Sequence, residues 1–498
     1  MSRETCAPPG VRRLRAALTT AVPSVLAFVL LPGLALLGPL PAADAGAPGT
    51  WTSVTGSSAQ AIGNTGRPSL LRTDDGTLHV VYTRQEDDGT YSLRHVALGA
   101  RGRVLSRSAV VSGWYILGRD PQLLPDGSGG LTVAFTGKRS SGSSDGVSGG
   151  GQTHRSSSSD GGATWTLSST YLSTALTTGA TLGAAALDDG TPVTAWTVGG
   201  ATVSFRTGVV ADPATAAADD TETLDGCCGY DPEVAVVPGD DRTWMSWTVG
   251  GSAPNGVFVR RIDVDDDPAK APRSTTTSGG TAVTSQMSGP APLVARSDGA
   301  VFVAYPVGYP TREYLAVWRV GRSGVVRVPS SADARYASLS VDPRGRLWVA
   351  WASGHEVRAA RSNPAGTRFG RAVVLGTLRR DGLDSTYGVV VDAAASYADV
   401  VANDTERLLH QQVYPGLSLV ADPATLTVHR RTRVTFTATD AGVPVAGVRV
   451  TVDGRQCRTS SRGTCRMALR PDATGSLRAV GRRSHYDAGT DVLRVRAR

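Results

Sequence analysis

The chain has 498 residues, too many for one average domain, with 59 glycines, 28 prolines and only 19% charged residues. Lys and Glu are scarce and the hydrophobic share is 40%, which argues against a helical bundle, a coiled coil or a disordered chain. The net charge of +8 is carried almost wholly by arginine, since Lys138 and Lys270 are the only lysines, which reads as a compositional bias.

A basic patch (Arg12, Arg13, Arg15) precedes an uncharged run from Ala16 to Ala43, and Ala43-Asp44-Ala45 offers a small-x-small cleavage site. The pattern predicts a secretory signal over residues 1–45 and an extracellular protein. The alternative is an uncleaved membrane anchor, because the run is long enough to span. Pro23, Pro32, Pro39 and Pro41 oppose a continuous helix there. Cys6 lies before the apolar run, unlike a lipoprotein cysteine. Export permits disulfides, and without Cys6 two close pairs are left, Cys227/Cys228 and Cys457/Cys465. No C-x-x-C or His-rich metal spacing occurs, so neither a metal nor a cofactor is expected.

From residue 46 to 416 one unit recurs: a small residue or proline, an apolar strand, an Asp/Gly turn, then an apolar strand ending in an aromatic. It occurs as RPSLLRTDDGTLHVVYT (67–83), DPQLLPDGSGGLTVAFT (120–136), LGAAALDDGTPVTAWTVGG (182–200) and DPEVAVVPGDDRTWMSWTVGG (231–251). It returns at 291–308, 337–354 and 386–404. Spacings of roughly 45 to 65 residues fit the four-stranded blade of a β-propeller. Seven units predict an all-β, seven-bladed propeller, with six blades the alternative if the first or last unit is not a full blade. The last unit is short of a fourth strand, which Thr50–Val54 can supply, closing the ring and removing an exposed edge.

Within the second unit, Ser158-Ser159-Asp160-Gly161-Gly162-Ala163-Thr164-Trp165 reads S-x-D-x-G-x-T-W. Asp160 suits a turn in which a carboxylate accepts from nearby backbone N–H groups, and Gly162 can take φ > 0. Thr164 and Trp165 then begin a strand. The octapeptide resembles the Asp box of sialidase-like propellers, where it is a structural turn away from the substrate face. Other residues carry the resemblance further. Arg119-Asp120-Pro121-Gln122-Leu123 is similar to the R-I-P-x-L motif, whose arginine clamps a substrate carboxylate. Arg139 follows Phe135-Thr136-Gly137-Lys138 where a second conserved arginine stands, and Asp145 falls at the acid/base aspartate. Arg335-Tyr336-Ala337-Ser338-Leu339 resembles the stretch bearing the tyrosine nucleophile, with Tyr387 as its rival. The resemblance thus implies Asp145, Tyr336 and Glu233 as catalytic residues, Glu233 serving as base to the phenol, and Arg119 and Arg139 as substrate anchors. Without it, these are rim charges and a packed tyrosine, and Arg67-Pro68-Ser69-Leu70 echoes the same motif as ordinary blade grammar.

Cys227 and Cys228 are adjacent, so their bond would be a strained vicinal disulfide; two thiols or an intermolecular pair are the alternatives. Residues 417–498 read as short alternating strands. GVPVAGVRVTVDG (442–454) followed by TSSRGTC (459–465) resembles bacterial immunoglobulin-like sandwiches, with Cys457 and Cys465 closing a hairpin. This tail holds 15 Arg against 6 Asp and no Glu, a net +9, so the basicity of the chain belongs to it. It suits an anionic polymer, and no interleaved aromatics point to nucleic acid.

The expectation is a secreted, monomeric, glycan-active protein: an exo-acting glycoside hydrolase of sialidase-like type working in the propeller funnel. The alternative is a non-catalytic propeller that binds a carbohydrate or cell-surface glycan. A polysaccharide lyase would need a His/Tyr pair that the sequence does not assemble.

Overall fold

A computed structural model describes residues 49–55, 67–118, 120–141, 152–173, 181–198, 202–211, 218–223, 229–249, 255–274, 277–278, 281–282, 290–308, 311–378, 388–404 and 407–497. The leader, Cys6, Arg119, Asp145, Cys227, Cys228 and Tyr387 lie outside them. The described residues form an all-β propeller followed by a two-sheet sandwich.

Among the described residues seven antiparallel meanders follow one another along the chain. Their inner strands are Ser69–Arg72, Gln122–Pro125, Leu182–Ala186, Gly229–Val236, Leu293–Ala295, Ala334–Val341 and Val389–Ala393, numbered here as blades 1 to 7. Each inner strand touches the next, and the seventh touches the first. The ring closes through the N-terminal segment. Thr52–Ser53 pairs with Leu408–Val413, and the Val54 N–H donates to the Leu408 carbonyl at 2.8 Å. Arg72 of blade 1 adds a second tie, donating to Asp392 of blade 7 at 2.8 Å and pairing with Asp399, which His410 contacts at 2.7 Å.

The sequence explains why the blades stack. Middle strands are apolar on both faces, as in Leu347–Ser353, because each sheet is covered on both sides. Seven separate apolar clusters fill the seven gaps. Trp247 and Met245 seal blade 4 against Val193 and Phe205 of blade 3, for example, and Trp348 of blade 6 packs with Val389 and Val400 of blade 7. Trp196, Trp247, Trp348 and Trp351 are fully buried. Burying one such ring stabilises by roughly 1.5–3 kcal/mol or more.

The S-x-D-x-G-x-T-W stretch folds as a carboxylate-centred turn between the third and fourth strands of blade 2. Asp160 accepts from the Thr164 N–H at 2.9 Å and from the Thr164 and Ser158 hydroxyls at 2.6 and 2.7 Å. Those donors, the Thr164 hydroxyl first, hold its carboxyl down at about 2. Gly162 stands at φ +84° directly over His95, where a Cβ would meet ring carbon Cε1 at 2.2 Å.

In the C-terminal sandwich one sheet holds Ser418–Asp422, Thr432–Asp440, Val443–Pro444 and Thr464–Leu469. The other holds Thr425–Thr427, Arg449–Val452, Arg455–Arg458, Gly475–Arg482 and Gly489–Arg496. One reading of the sequence is refined here, that 443–452 forms a single alternating strand, and one is corrected, the hairpin closed by Cys457 and Cys465. The stretch 443–452 is two strands in opposite sheets, broken at Gly447 with φ +74°. The Cys457–Cys465 disulfide joins the two sheets instead of closing a hairpin, because its half-cystines sit on strands paired with different partners. The sandwich is fixed to blade 6 through Asp440, which is buried and paired with Arg346 and Arg361, and through Arg371, which pairs with Asp487.

Candidate functional site at the channel mouth

The inner strands surround a channel of about 350 Å³, lined by residues from Leu70 of blade 1 round to Val391 of blade 7. The end at which these strands begin is the mouth. Strands alternate in a meander, so the turn at Asp160, between third and fourth strands, lies at the opposite end.

Several inner strands enter the mouth through an X-Pro step: Arg67-Pro68, Asp120-Pro121 and Asp231-Pro232. Proline has no N–H to place in a ladder, so Pro68 and Pro121 stand just before their strands begin, and Pro232 sits inside its strand at a break in the ladder between Tyr230 and Glu233. Neighbouring strands are then locked in register. The Leu123 N–H donates to Ser69 Oγ at 2.9 Å, Gln122 Nε2 to the Leu182 carbonyl at 3.2 Å, and the Asp231 N–H to Thr181 Oγ1 at 3.0 Å. At Asp231 the ladder of blade 4 shifts register between Tyr230 and Glu233, and φ of Asp231 is +45°. A non-glycine residue in that conformation is strained, and bulges of this kind turn a side chain toward a site.

The result is a cluster of one guanidinium and three carboxylates drawn from three blades. Arg67 pairs with Glu233, its second amino group reaching the other carboxylate oxygen at 3.4 Å. Burial alone would weaken the Arg67 charge, but Glu233, Asp120 and Asp231 together raise its pKa above the ordinary value. Asp120 accepts a hydrogen bond from the Arg67 backbone. Burial first, then repulsion from Asp231 and Glu233, push the Asp120 carboxyl up to about 7, with Arg67 opposing the rise. Asp231 and Glu233 are themselves buried. Asp120 therefore holds an exchangeable proton near neutral pH beside a fixed pair of opposite charges, the arrangement general acid/base chemistry needs. Among the described residues no group of three or more His, Cys, Asp or Glu side chains is arranged to hold a metal ion.

Of the residues the sequence singled out, Glu233 is at this cluster. Arg139 follows the second strand of blade 2, at the mouth end. Its guanidinium lies 5.7 Å over the Trp114 ring, on the outer strand of blade 1. Tyr336 lies on the inner strand of blade 6, where the ladder shifts register between Arg335 and Ser338, as it does at Asp231 in blade 4; its side chain is outside the described set. Arg119 and Asp145 are outside it altogether. Sequence reasoning missed Arg67, Asp120 and Asp231. A signal is present in the sequence: each precedes a proline at the start of a repeat unit.

No protein-family model and no curated protein matches the chain. Among solved structures it is similar to a Hadza microbial sialidase, at 14% identity and TM-score 0.39 over 70% of this chain and 65% of that one. A puromycin-hydrolyzing peptidase of Mycobacterium tuberculosis gives 14% identity and TM-score 0.41, over 87% of this chain and 60% of that one. An α-L-arabinofuranosidase of Fusarium graminearum gives 12% and 0.37, over 72% and 94%. The chain thus spans less than two thirds of the length of the first two.

Proposed function

We propose that this is an exported glycan-active protein, a glycoside hydrolase working at the mouth of the propeller channel. The observation that carries the reading is the meeting of Arg67, Asp120, Asp231 and Glu233 at one rim, with Asp120 protonated near neutral pH. Cleaving a glycosidic bond needs an acid to protonate the leaving oxygen and a carboxylate to balance positive charge building at the sugar carbon. Asp120 serves as the acid. Asp231 supplies the negative charge, and the Arg67–Glu233 pair orients a substrate hydroxyl or carboxylate. The sialidase resemblance gives the acid role to Asp145 and the nucleophile role to Tyr336, which sets two assignments against each other. The C-terminal sandwich, which we read as an immunoglobulin-like accessory module, carries no part of this chemistry.

The test is a reporter-glycoside and glycan-array screen of the full chain, followed by Asp120→Asn and Asp145→Asn on the best substrate. Asp120→Asn should lower kcat by about 10²–10⁴, the usual worth of general acid catalysis. Full activity in Asp120→Asn would sink this assignment, and loss confined to Asp145→Asn would hand the acid role to that residue. A second reading, a non-catalytic glycan binder, is favoured by the neutralisation of Glu233 by Arg67; array binding without turnover of any reporter would select it.

A further inference from the structure

We propose a second ligand site, for an acidic polysaccharide, in the cleft between the last blades of the propeller and the C-terminal sandwich. The cleft has a volume of about 840 Å³. One wall is the outer face of a sandwich sheet, bearing Arg449, Arg458 and Arg482; the facing wall includes Gln412 and Tyr414 of the propeller's last strand and its exit.

The three arginines are in direct register. Arg449 is the cross-strand partner of Arg458 on one side and of Arg482 on the other. With strands about 4.8 Å apart, the row places three guanidinium stems along roughly 10 Å. They point outward because Val450, next to Arg449, is in the sandwich core. Like charges directly opposite one another destabilise a sheet. In the propeller and at its junction with the sandwich, Arg72, Arg260, Arg346, Arg358, Arg361 and Arg371 each pair with a carboxylate, and what sets the cleft row apart is its direct cross-strand register. Among the described residues Arg449, Arg458 and Arg482 have no ion pair, and the one acid lining the cleft, Asp487, is taken by Arg371.

A row of uncompensated guanidinium groups suits a ligand with regularly repeated anionic groups, since each fork can take a carboxylate or sulfate through two hydrogen bonds. An aromatic ring beside the row favours a sugar chain as that ligand. Tyr414 and Tyr486 also line the cleft, half-buried, and Arg483 lies 5.7 Å over the Tyr486 ring. Arg361 also stands over the Tyr486 ring, at 5.9 Å, so Tyr414 is the ring offered for stacking on a sugar while the arginines read the charges. The site is independent of the channel mouth, so the two readings stand or fall separately.

The experiment uses the full chain and measures binding to polygalacturonate, heparin, neutral dextran and inorganic polyphosphate by calorimetry at two salt concentrations. Carboxylated or sulfated glycan should bind, more weakly at high salt, and dextran should not. The Arg449→Gln/Arg458→Gln/Arg482→Gln variant should lose at least tenfold in affinity, whereas Arg319→Gln/Arg322→Gln, exposed arginines of blade 5 away from the cleft, should bind as the parent does. The free triple variant should melt no lower than the parent, and higher at low salt, because like charges have been removed; this separates lost recognition from lost folding. The proposal fails if the triple variant binds the acidic glycans unchanged, if dextran competes equally, or if polyphosphate binds as tightly as the glycans. Preference for polygalacturonate would assign the natural ligand to carboxylated chains, and preference for heparin to sulfated ones.

Discussion

Arg67 of blade 1 and Glu233 of blade 4 form an ion pair at the channel mouth although 166 residues separate them in the chain. The two side chains are only 17% and 12% exposed, so neither charge is well solvated alone. Removing one partner of such a pair typically costs about 3–5 kcal/mol, while removing both for apolar residues costs far less. Arg67→Met should therefore lower the urea midpoint strongly, and Arg67→Met/Glu233→Met should recover much of the loss. Equal destabilisation in the single and double variants would show that the pair is solvent-screened.

Asp120 sets a second expectation. Its carboxyl is raised to about 7 in the folded chain and lies near 3.9 when unfolded. A raised pKa contributes stability that is complete below the unfolded value and is lost as pH rises through about 7. Activity resting on the acid form should fall on the same limb. In Arg67→Met the positive charge opposing the rise is gone while the backbone hydrogen bond stays, so the limb should move to higher pH; a limb that stays in place would separate it from Asp120.

The contrast between what the sequence foretold and what it hid has a physical basis. Blade stacking depends on composition along each strand, and alternating runs such as Val301-Phe302-Val303-Ala304-Tyr305 display it openly. The Asp160 turn was legible because its donors and acceptors are four residues apart or fewer. The mouth cluster was not, since it is assembled from blades 1, 2 and 4 by ring closure, and local motifs do not encode which blades face across a channel. Position explains the disulfide too: a separation of 8 residues suggests a hairpin, yet Cys457 and Cys465 ended on different sheets.

The histidine stack under the Asp160 turn should oppose Asp120 in its pH dependence. His79 Nδ1 and His95 Nε2 are 2.9 Å apart, both rings are buried, and His95 also contacts Ser108 Oγ at 3.2 Å. Burial, then repulsion from His79, lower the His95 pKa from 6.5 to about 4, against the backbone at Gly162. A depressed histidine contributes stability present above pH 6.5 and lost as pH falls through about 4, here up to roughly 3 kcal/mol. Between pH 4 and 7 the two groups act in opposite directions, so the parent's melting temperature should change little over that window. Asp120→Asn should expose a melting temperature that rises with pH, and His95→Gln one that falls. Parallel curves for the two variants would contradict both assignments.

Gly183 gives the most local test of how the scaffold positions Glu233. Its backbone has no unusual φ, so the reason for glycine is space: a Cβ would meet the Pro232 carbonyl oxygen at 2.2 Å and the Glu233 Cα at 2.9 Å. Backbone cannot swing aside as a side-chain tip would, so Gly183→Ala must push the inner strand of blade 4 away from blade 3. Overpacking of this kind typically costs about 1–3 kcal/mol. The displacement should also loosen Glu233 from Arg67 and so move the Asp120 titration, observable by carboxyl-selective NMR. Gly324→Ala, at a site with ordinary φ and nothing within 4 Å, is the matched control and should leave both stability and titration unchanged. If Gly183→Ala lowers stability while the Asp120 titration stays where it is, the strand has yielded elsewhere and Gly183 does not position the site.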